Sequence, residues 1–349
     1  MSKKVKIGNI FIGGGAPVAV QSMTTFRPSD TENTIKQILA LEEAGCDIVR
    51  FCVRDEADAK AIKTIREKTH IPLVADIHFD YRLAVASAEN GADKIRINPG
   101  NIGGEDKIKI VADCLKAHKL PVRVGSNSGS IEKEFLLAYG RSEKALAESA
   151  LKNAALFEKY GVGDIVVSVK ASDVRLTVAA YRYIAARCDY PLHLGVTEAG
   201  TLKSGVVKNS IGIGALLLQG IGDTVRVSLS AAPVEEVRAA KLILRSVGLE
   251  KDYVELVSCP TCGRCEWDLI PFAEKTEKFV SKFKKPLKIA VMGCVVNGPG
   301  EAADADLGIA GGKGFCMLFK KGVPYKKVAY EDVEKEFFKE IENCLRSAD

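Results

Sequence analysis

The sequence predicts a closed (β/α)8 barrel over residues 1–248, followed by a small α+β unit over residues 249–349. Three observations carry this reading. Short β-branched runs alternate with helical segments from Pro17 to about Gly248. The strands are approached in two alternating ways, which makes the whole a fourfold repeat of a βαβα unit. After Gly248 the alternation stops, and a cysteine cluster appears.

The elements follow in order. Val5–Ile12 reads as a hairpin turning at Gly8-Asn9 and plugging the bottom of the barrel. Gly13-Gly14-Gly15 precedes a strand instead of following one, so it reads as a turn and not as a phosphate loop. Strands are expected at Val18–Gln21, Asp47–Val53, Leu73–His78, Lys94–Asn98, Val122–Asn127, Asp164–Ala171, Leu192–Thr197 and Thr224–Ser230, each followed by a helix. Odd strands are reached through a proline: Pro17, Pro72, Pro121 and Pro191. Even strands are reached through a glycine and then an aspartate: Gly45 and Asp47, Gly91 and Asp93, Gly163 and Asp164, Gly222 and Asp223. Each glycine suits the left-handed end of a helix, and each proline starts a strand without losing a ladder bond.

Barrel chemistry sits at the C-terminal ends of the strands, and period-two parity selects the inward side chains. The inward set is Arg50, Cys52 and Arg54; Asp76 and His78; Lys94, Arg96 and Asn98; Arg123, Gly125 and Asn127; Ser168, Lys170 and Ser172; His193, Gly195 and Thr197; Arg226, Ser228 and Ser230. Cations on several strands, with only Asp76 and Glu198 as acids near their level, call for an anionic partner. Guanidinium forks beside Ser and Asn donors suit a phosphate or diphosphate. His78 and His193 are candidates for acid–base work or phosphate hydrogen bonds.

The tail is expected to contain a strand Tyr253–Ser258, a helix near Glu266–Lys282, a strand Leu287–Val296, a hairpin within Leu307–Lys327 and a closing helix Glu331–Leu345. Cys259, Cys262 and Cys265, together with Cys294 beside a Gly-Pro turn, form a soft-ligand pattern for zinc or an iron–sulfur cluster, and spacing leaves both open.

Composition excludes several classes. The start of the chain lacks the apolar segment of a signal peptide, and no run reaches membrane-spanning length. The ten cysteines then read as reduced thiols, some of them metal ligands, in a cytoplasmic protein. The net charge of +5 is too small, and too poor in interleaved aromatics, for a nucleic-acid groove. The Lys-rich stretches 282–288 and 320–327 read as solvated faces.

Over its whole length the sequence resembles the bacterial 4-hydroxy-3-methylbut-2-enyl diphosphate synthase family, in its short two-domain type. The resemblance rests on Val20-Gln-Ser-Met-Thr24, Ala75-Asp-Ile-His-Phe79, Arg96-Ile-Asn-Pro-Gly-Asn101, Arg123-Val-Gly-Ser-Asn127, Ser168-Val-Lys-Ala-Ser-Asp173, His193-Leu-Gly-Val-Thr-Glu198, Ser258-Cys-Pro-Thr-Cys-Gly-Arg264 and Gly293-Cys-Val-Val-Asn-Gly-Pro-Gly-Glu-Ala302. It implies a [4Fe–4S] cluster held by Cys259, Cys262, Cys294 and Glu301, with Cys265 a bystander. A carboxylate is a harder ligand than thiolate and leaves one iron open to exchange. The implied reaction is the two-electron reductive ring opening and dehydration of 2-C-methyl-D-erythritol 2,4-cyclodiphosphate in isoprenoid synthesis. Arg54, Asp76, His78, Arg96, Arg123, Asn127, Lys170, Arg226 and Ser228 would bind the substrate, and Glu198 or His193 would manage protons. Flavodoxin or ferredoxin would supply electrons.

Three competing readings predict different observations. A pterin-type transferase barrel needs no cluster, a zinc-ribbon module would carry zinc without iron, and a radical S-adenosylmethionine enzyme places its cysteines in the barrel's first loop. The resemblance also implies a homodimer, and connector length agrees. Gly248 to Asp252 reach roughly 17 Å at about 3.4 Å per residue. Climbing the barrel's side along a helix the length of Pro233–Val247 takes on the order of 20 Å. The tail is therefore expected to serve the partner's barrel, with sites shared between subunits.

Overall fold

The computed structural model of the chain describes residues 1–129 and 131–347. The chain divides into two compact units, Met1–Leu249 and Glu250–Asp349.

The first unit is an eight-stranded parallel barrel. Its strands are β1 (Ala19–Met23), β2 (Ile48–Cys52), β3 (Leu73–Ile77), β4 (Lys94–Ile97), β5 (Val122–Asn127), β6 (Ile165–Lys170), β7 (His193–Leu194) and β8 (Thr224–Val225). They pair in the order β6-β5-β4-β3-β2-β1-β8-β7. A bridge between Val167 and Leu192, with Val167 N donating to Pro191 O at 2.9 Å, brings β6 to β7 and closes the ring. The last two strands are shorter than the sequence predicts. Beyond Leu194 and Val225 the chains remain close, with Arg226 N donating to Leu194 O at 3.0 Å, but regular pairing resumes only at the isolated bridge between Thr201 and Ser230.

The alternating approach to the strands has a visible cause. Gly45, Gly91 and Gly222 adopt positive φ at the turn into an even strand. The aspartate that follows then fixes the strand before it. Asp47 accepts from Val20 N at 2.7 Å, Asp93 from Leu73 N at 2.7 Å and Asp223 from Leu192 N at 2.8 Å. Gly163 departs from the expectation. The left-handed residue before β6 is Gly161, at φ 80°, because the helix Glu143–Lys159 ends earlier than the pattern implied.

The N-terminal hairpin pairs Val5–Ile7 with Ile10–Ile12, as expected. Val5, Ile7 and Ile12 pack on Ala19, Ile48, Val74 and Val166, which plugs the bottom of the barrel with apolar surface.

The second unit is a five-stranded sheet in sequential order: β9 (Val254–Ser258), β10 (Leu287–Met292), β11 (Leu307–Gly312), β12 (Phe315–Lys320) and β13 (Val323–Ala329). The first three strands are parallel and the last three antiparallel. The segment read as a hairpin is thus a three-stranded meander, its second turn made by Lys321 and Gly322 at positive φ. The helices Leu269–Val280 and Val333–Ser347 cover the sheet through Leu269, Val280, Val333, Phe337 and Ile341. Among the described residues no helix is long and apolar enough to cross a membrane.

Candidate active site

Parity along the strands places the predicted cations inside the barrel. Lys94, Arg96, Arg123 and Lys170 are all buried, as is Arg50, and Arg226 is nearly so. Asp76, at the end of β3, joins two of them. Its Oδ1 accepts from Arg96 at 2.8 Å, and its Oδ2 lies 3.4 Å from Arg50 Nε. Burial pushes the Asp76 carboxyl up, but the Arg50 and Arg96 guanidiniums outweigh it and hold the group well below the usual carboxylate range.

The second internal acid is Glu236, on the helix Pro233–Ser246, and not Glu198 as the sequence reading held. Glu236 accepts two bonds from Arg226 and also receives Ser22 Oγ at 3.0 Å and Leu229 N at 3.1 Å. Glu198 instead lies exposed at the rim after β7, with a φ of 52° that non-glycine residues seldom adopt. In sequence, Glu236 looks like an ordinary acid in a helix first turn, so parity along strands could not find it.

Six cations therefore face two carboxylates within the barrel among the described residues. Burial and then like-charge neighbours lower Arg123 and Lys170 well below their ordinary values. Burial also lowers Arg50 to about 10, with Asp76 opposing the shift. Burial and like charge both disfavour the charged forms of these side chains. Two inward glycines let neighbouring groups approach closely: a Cβ at Gly195 would lie 3.0 Å from Lys170 Nζ and 2.7 Å from Arg226 O, and one at Gly125 would lie 2.5 Å from Ser168 Oγ, so a side chain at either would displace them.

The remaining predicted residues divide. His193 is fully buried and bonds Thr224 Oγ1 through Nδ1 at 2.7 Å. Burial, then Arg123 and Lys170, push its imidazole well below its ordinary value, so it is neutral. His78 is half-buried at the end of β3, with Nδ1 3.5 Å from Cys52 Sγ. Asn127 and Ser228 are half-buried at the ends of their strands. Arg54 is exposed on the loop after β2, where its backbone N donates to Asp58 Oδ2 at 3.0 Å.

In the second unit Cys259 follows β9 and Cys294 follows β10, each half-buried. Cys259 Sγ accepts from Gly293 N at 3.1 Å. Cys262 is exposed, and backbone N–H groups at Arg264, with its guanidinium, lower its thiol. Cys265 lies beside Cys259: a Cβ at Gly293 would be 3.2 Å from one sulfur and 3.4 Å from the other. Its Sγ donates to Trp267 O at 3.3 Å. Glu301 is exposed at the end of the short helix Gly298–Glu301. Among the described residues no three of these groups converge within ligating distance. The donor chemistry nonetheless fits an iron–sulfur cluster, with soft sulfur donors in the segments that follow β9 and β10 and a backbone donor already aimed at one sulfur.

A parallel barrel with an excess of buried cations in its interior, carried beside a separate cysteine-bearing unit, defines a (β/α)8 barrel of the enzyme type. The family model described as "GcpE TIM-barrel domain" matches residues 2–241, and "GcpE protein C-terminal domain" matches residues 255–343. The chain belongs to the GcpE family. It is 56% identical over 347 residues to the 4-hydroxy-3-methylbut-2-en-1-yl diphosphate synthase (flavodoxin) of Caldanaerobacter subterraneus subsp. tengcongensis, covering 99% of this chain and 98% of that protein. It is 53% identical over 342 residues to the protein of the same name from Clostridium perfringens, covering 98% of each. Among solved structures, N-acetylneuraminic acid synthetase from Leptospira borgpetersenii serovar Hardjo-bovis is similar with a TM-score of 0.52 at 15% identity, over 81% of this chain and 98% of that one, a likeness of fold alone.

Proposed function

We propose that this enzyme performs the two-electron reductive ring opening of 2-C-methyl-D-erythritol 2,4-cyclodiphosphate to 4-hydroxy-3-methylbut-2-enyl diphosphate. Two protons are consumed and water leaves. The observation that carries this reading is the excess of buried cations over carboxylates inside the barrel, in a chain that also bears a cluster-type cysteine set. The name shared by its relatives supports the activity and points to flavodoxin as electron donor.

Arg96, Arg123, Lys170 and Arg226 supply charge-assisted donors to the diphosphate, and Asn127 and Ser228 add neutral ones at the strand ends. Arg54 and His78 close over it from their loops. Asp76 acts on Arg50 and Arg96 as a positioning residue, since both of its oxygens are already engaged by guanidiniums. Glu236 does the same for Arg226. His193, buried and neutral, holds its ring through Thr224. Glu198 at the rim is the acid–base candidate with solvent access. Cys259, Cys262, Cys294 and Glu301 would hold a [4Fe–4S] cluster, which supplies single electrons when bound. The active form in this reading is a cytoplasmic homodimer whose sites are shared between subunits.

Anaerobic purification followed by iron and sulfide analysis and assay with reduced flavodoxin tests the proposal. Four irons per chain and conversion of the cyclodiphosphate are expected. A colourless, iron-free protein, or an iron-loaded one without turnover, overturns it.

A further inference from the structure

Following the ladder register around the barrel sorts its inward residues into layers. Ile48, Lys94, Val166 and Thr224 form the lowest; Gln21, Val74, Arg123 and His193 form the next; Arg50, Arg96, Ser168 and Arg226 stand above them. Lys94 is thus a lysine set into the apolar plug, alongside Ile48 and Val166, beneath the cations of the mouth, where burial and then Arg123 and Arg50 lower its amine well below the ordinary value.

Gln21, Lys94, Arg123 and His193 are each 1% exposed or less. The acceptors at this level are already engaged. Gln21 Oε1 takes Arg123 NH1 at 3.3 Å, and Thr224 Oγ1 is bonded to His193 Nδ1. Among the described residues no protein group accepts from Lys94 Nζ, Gln21 Nε2 or Arg123 Nε, and His193 Nε2 has no partner either. The first three are obligate donors on different strands, β4, β1 and β5. Buried donors of this kind are nearly always satisfied, and a buried ammonium beside a guanidinium needs a counter-charge. Asp76 and Glu236 are engaged by the layer above.

We propose that the two lowest layers of the barrel enclose a binding site for a small monovalent anion of the halide class, held by Lys94, Gln21 and Arg123. A chloride ion accepts several hydrogen bonds at once and offers none, which matches three buried, unpartnered donor groups in adjacent layers better than water does. Its charge offsets Lys94 and holds Arg123 through Nε, which leaves the rest of that guanidinium and the cations above it to their own ligand. The ion is a structural anion beneath a substrate site, and it does not depend on which reaction the mouth carries out.

The holoenzyme is purified and crystallised with bromide replacing chloride throughout, and diffraction is recorded at the bromine edge. An anomalous peak within the layer bounded by Lys94, Gln21 and Arg123 is expected. In solution, replacing gluconate by chloride at constant ionic strength should raise the melting temperature by about 2–5 °C, the shift expected when a ligand occupies a site on the folded state alone. Lys94→Met should lose that chloride dependence. Bromide crystals of the wild type with no anomalous signal in this layer overturn the proposal, whether or not the variant folds. A melting temperature indifferent to the anion does the same.

Discussion

Arg226 and Glu236 meet through two bonds, Nε to Oε2 at 3.3 Å and NH2 to Oε1 at 3.2 Å, across the loop between β8 and its following helix. The contact makes a helix residue part of the strand-end machinery. The carboxylate fixes the guanidinium and, through Leu229 N, the loop itself. Glu236→Gln removes the charge and leaves a single acceptor oxygen, which can serve Leu229 N or Ser22 Oγ but not both. Losing one partner of a mostly buried pair should cost roughly 1–3 kcal/mol of stability. Substrate KM should also rise, because Arg226 loses its orientation. Thermal melting and steady-state kinetics check both effects, and a variant unchanged in each would show that the pair does not position Arg226.

Lys170 offers the cleanest separation of binding from folding. Its side chain is buried among Arg123, Arg50 and Arg226, and among the described residues no carboxylate is bonded to it. Lys170→Met keeps most of the volume and removes a like charge. Substrate affinity should fall about 10–100-fold, the worth of one charge-assisted contact in a desolvated site. The melting temperature should hold or rise. Normal binding with a large drop in melting temperature would instead make Lys170 part of an internal ion pair.

The sequence made the barrel legible because its signals are local and periodic. Pro17, Pro72, Pro121 and Pro191 alternate with Asp47, Asp93 and Asp223, and each of those aspartates turns out to bind the backbone of the preceding strand. Parity likewise placed Arg96, Arg123, Lys170 and His193 correctly inside. It could not reach Glu236, whose role depends on how a helix folds back over a strand end. It also could not distinguish Glu198 on the rim from an acid in the interior, since a left-handed residue after Thr197 breaks the alternation. In the tail, spacing marked Cys259, Cys262, Cys265 and Cys294 alike, and only the family resemblance set Cys265 aside. The adjacency of Cys265 to Cys259 at Gly293 joins two strand ends distant in sequence, which no local pattern records.

Binding of a diphosphate should be linked to proton uptake. In the free site burial and neighbouring cations hold Lys170 well below its ordinary value. A bound dianion favours the ammonium and raises that value. Between the two values the complex carries a proton that the free enzyme lacks, up to about one per Lys170. Affinity for pyrophosphate should therefore decline as pH rises through this window. Calorimetry in buffers of different ionisation enthalpy measures the uptake, and Lys170→Met should reduce it. Proton release on binding would contradict the assignment.

Cysteine substitutions separate ligands from neighbours. Cys265 donates to Trp267 O, and its Sγ lies beside that of Cys259. Cys265→Ser should keep iron and sulfide and most activity. Cys259→Ser, Cys262→Ser and Cys294→Ser should each lose both, and Glu301→Ala should lower turnover and weaken cluster retention. Iron, sulfide and visible spectra measured anaerobically decide the matter. Loss of iron in Cys265→Ser with full retention in Glu301→Ala would exchange the roles of these two residues.

Sharing of sites between subunits has a genetic test that needs no structure of the dimer. The helix Pro233–Ser246 and β9, starting at Val254, are joined by only a few residues, so a tail domain has limited reach along its own chain. Glu301→Ala disables the tail and leaves the barrel intact, whereas Lys170→Met disables the barrel and leaves the tail intact. Assayed with substrate well below the wild-type KM, each homodimer alone should be strongly impaired. In a heterodimer built with sites in trans, one site combines both damaged halves and the other combines both sound ones, so about half the wild-type activity per heterodimer should return. Sites built in cis would each contain one damaged half, and no activity would return. Co-expression with two affinity tags, purification through both and assay of the doubly tagged species gives the answer. A demonstrable heterodimer without recovered turnover excludes the shared arrangement.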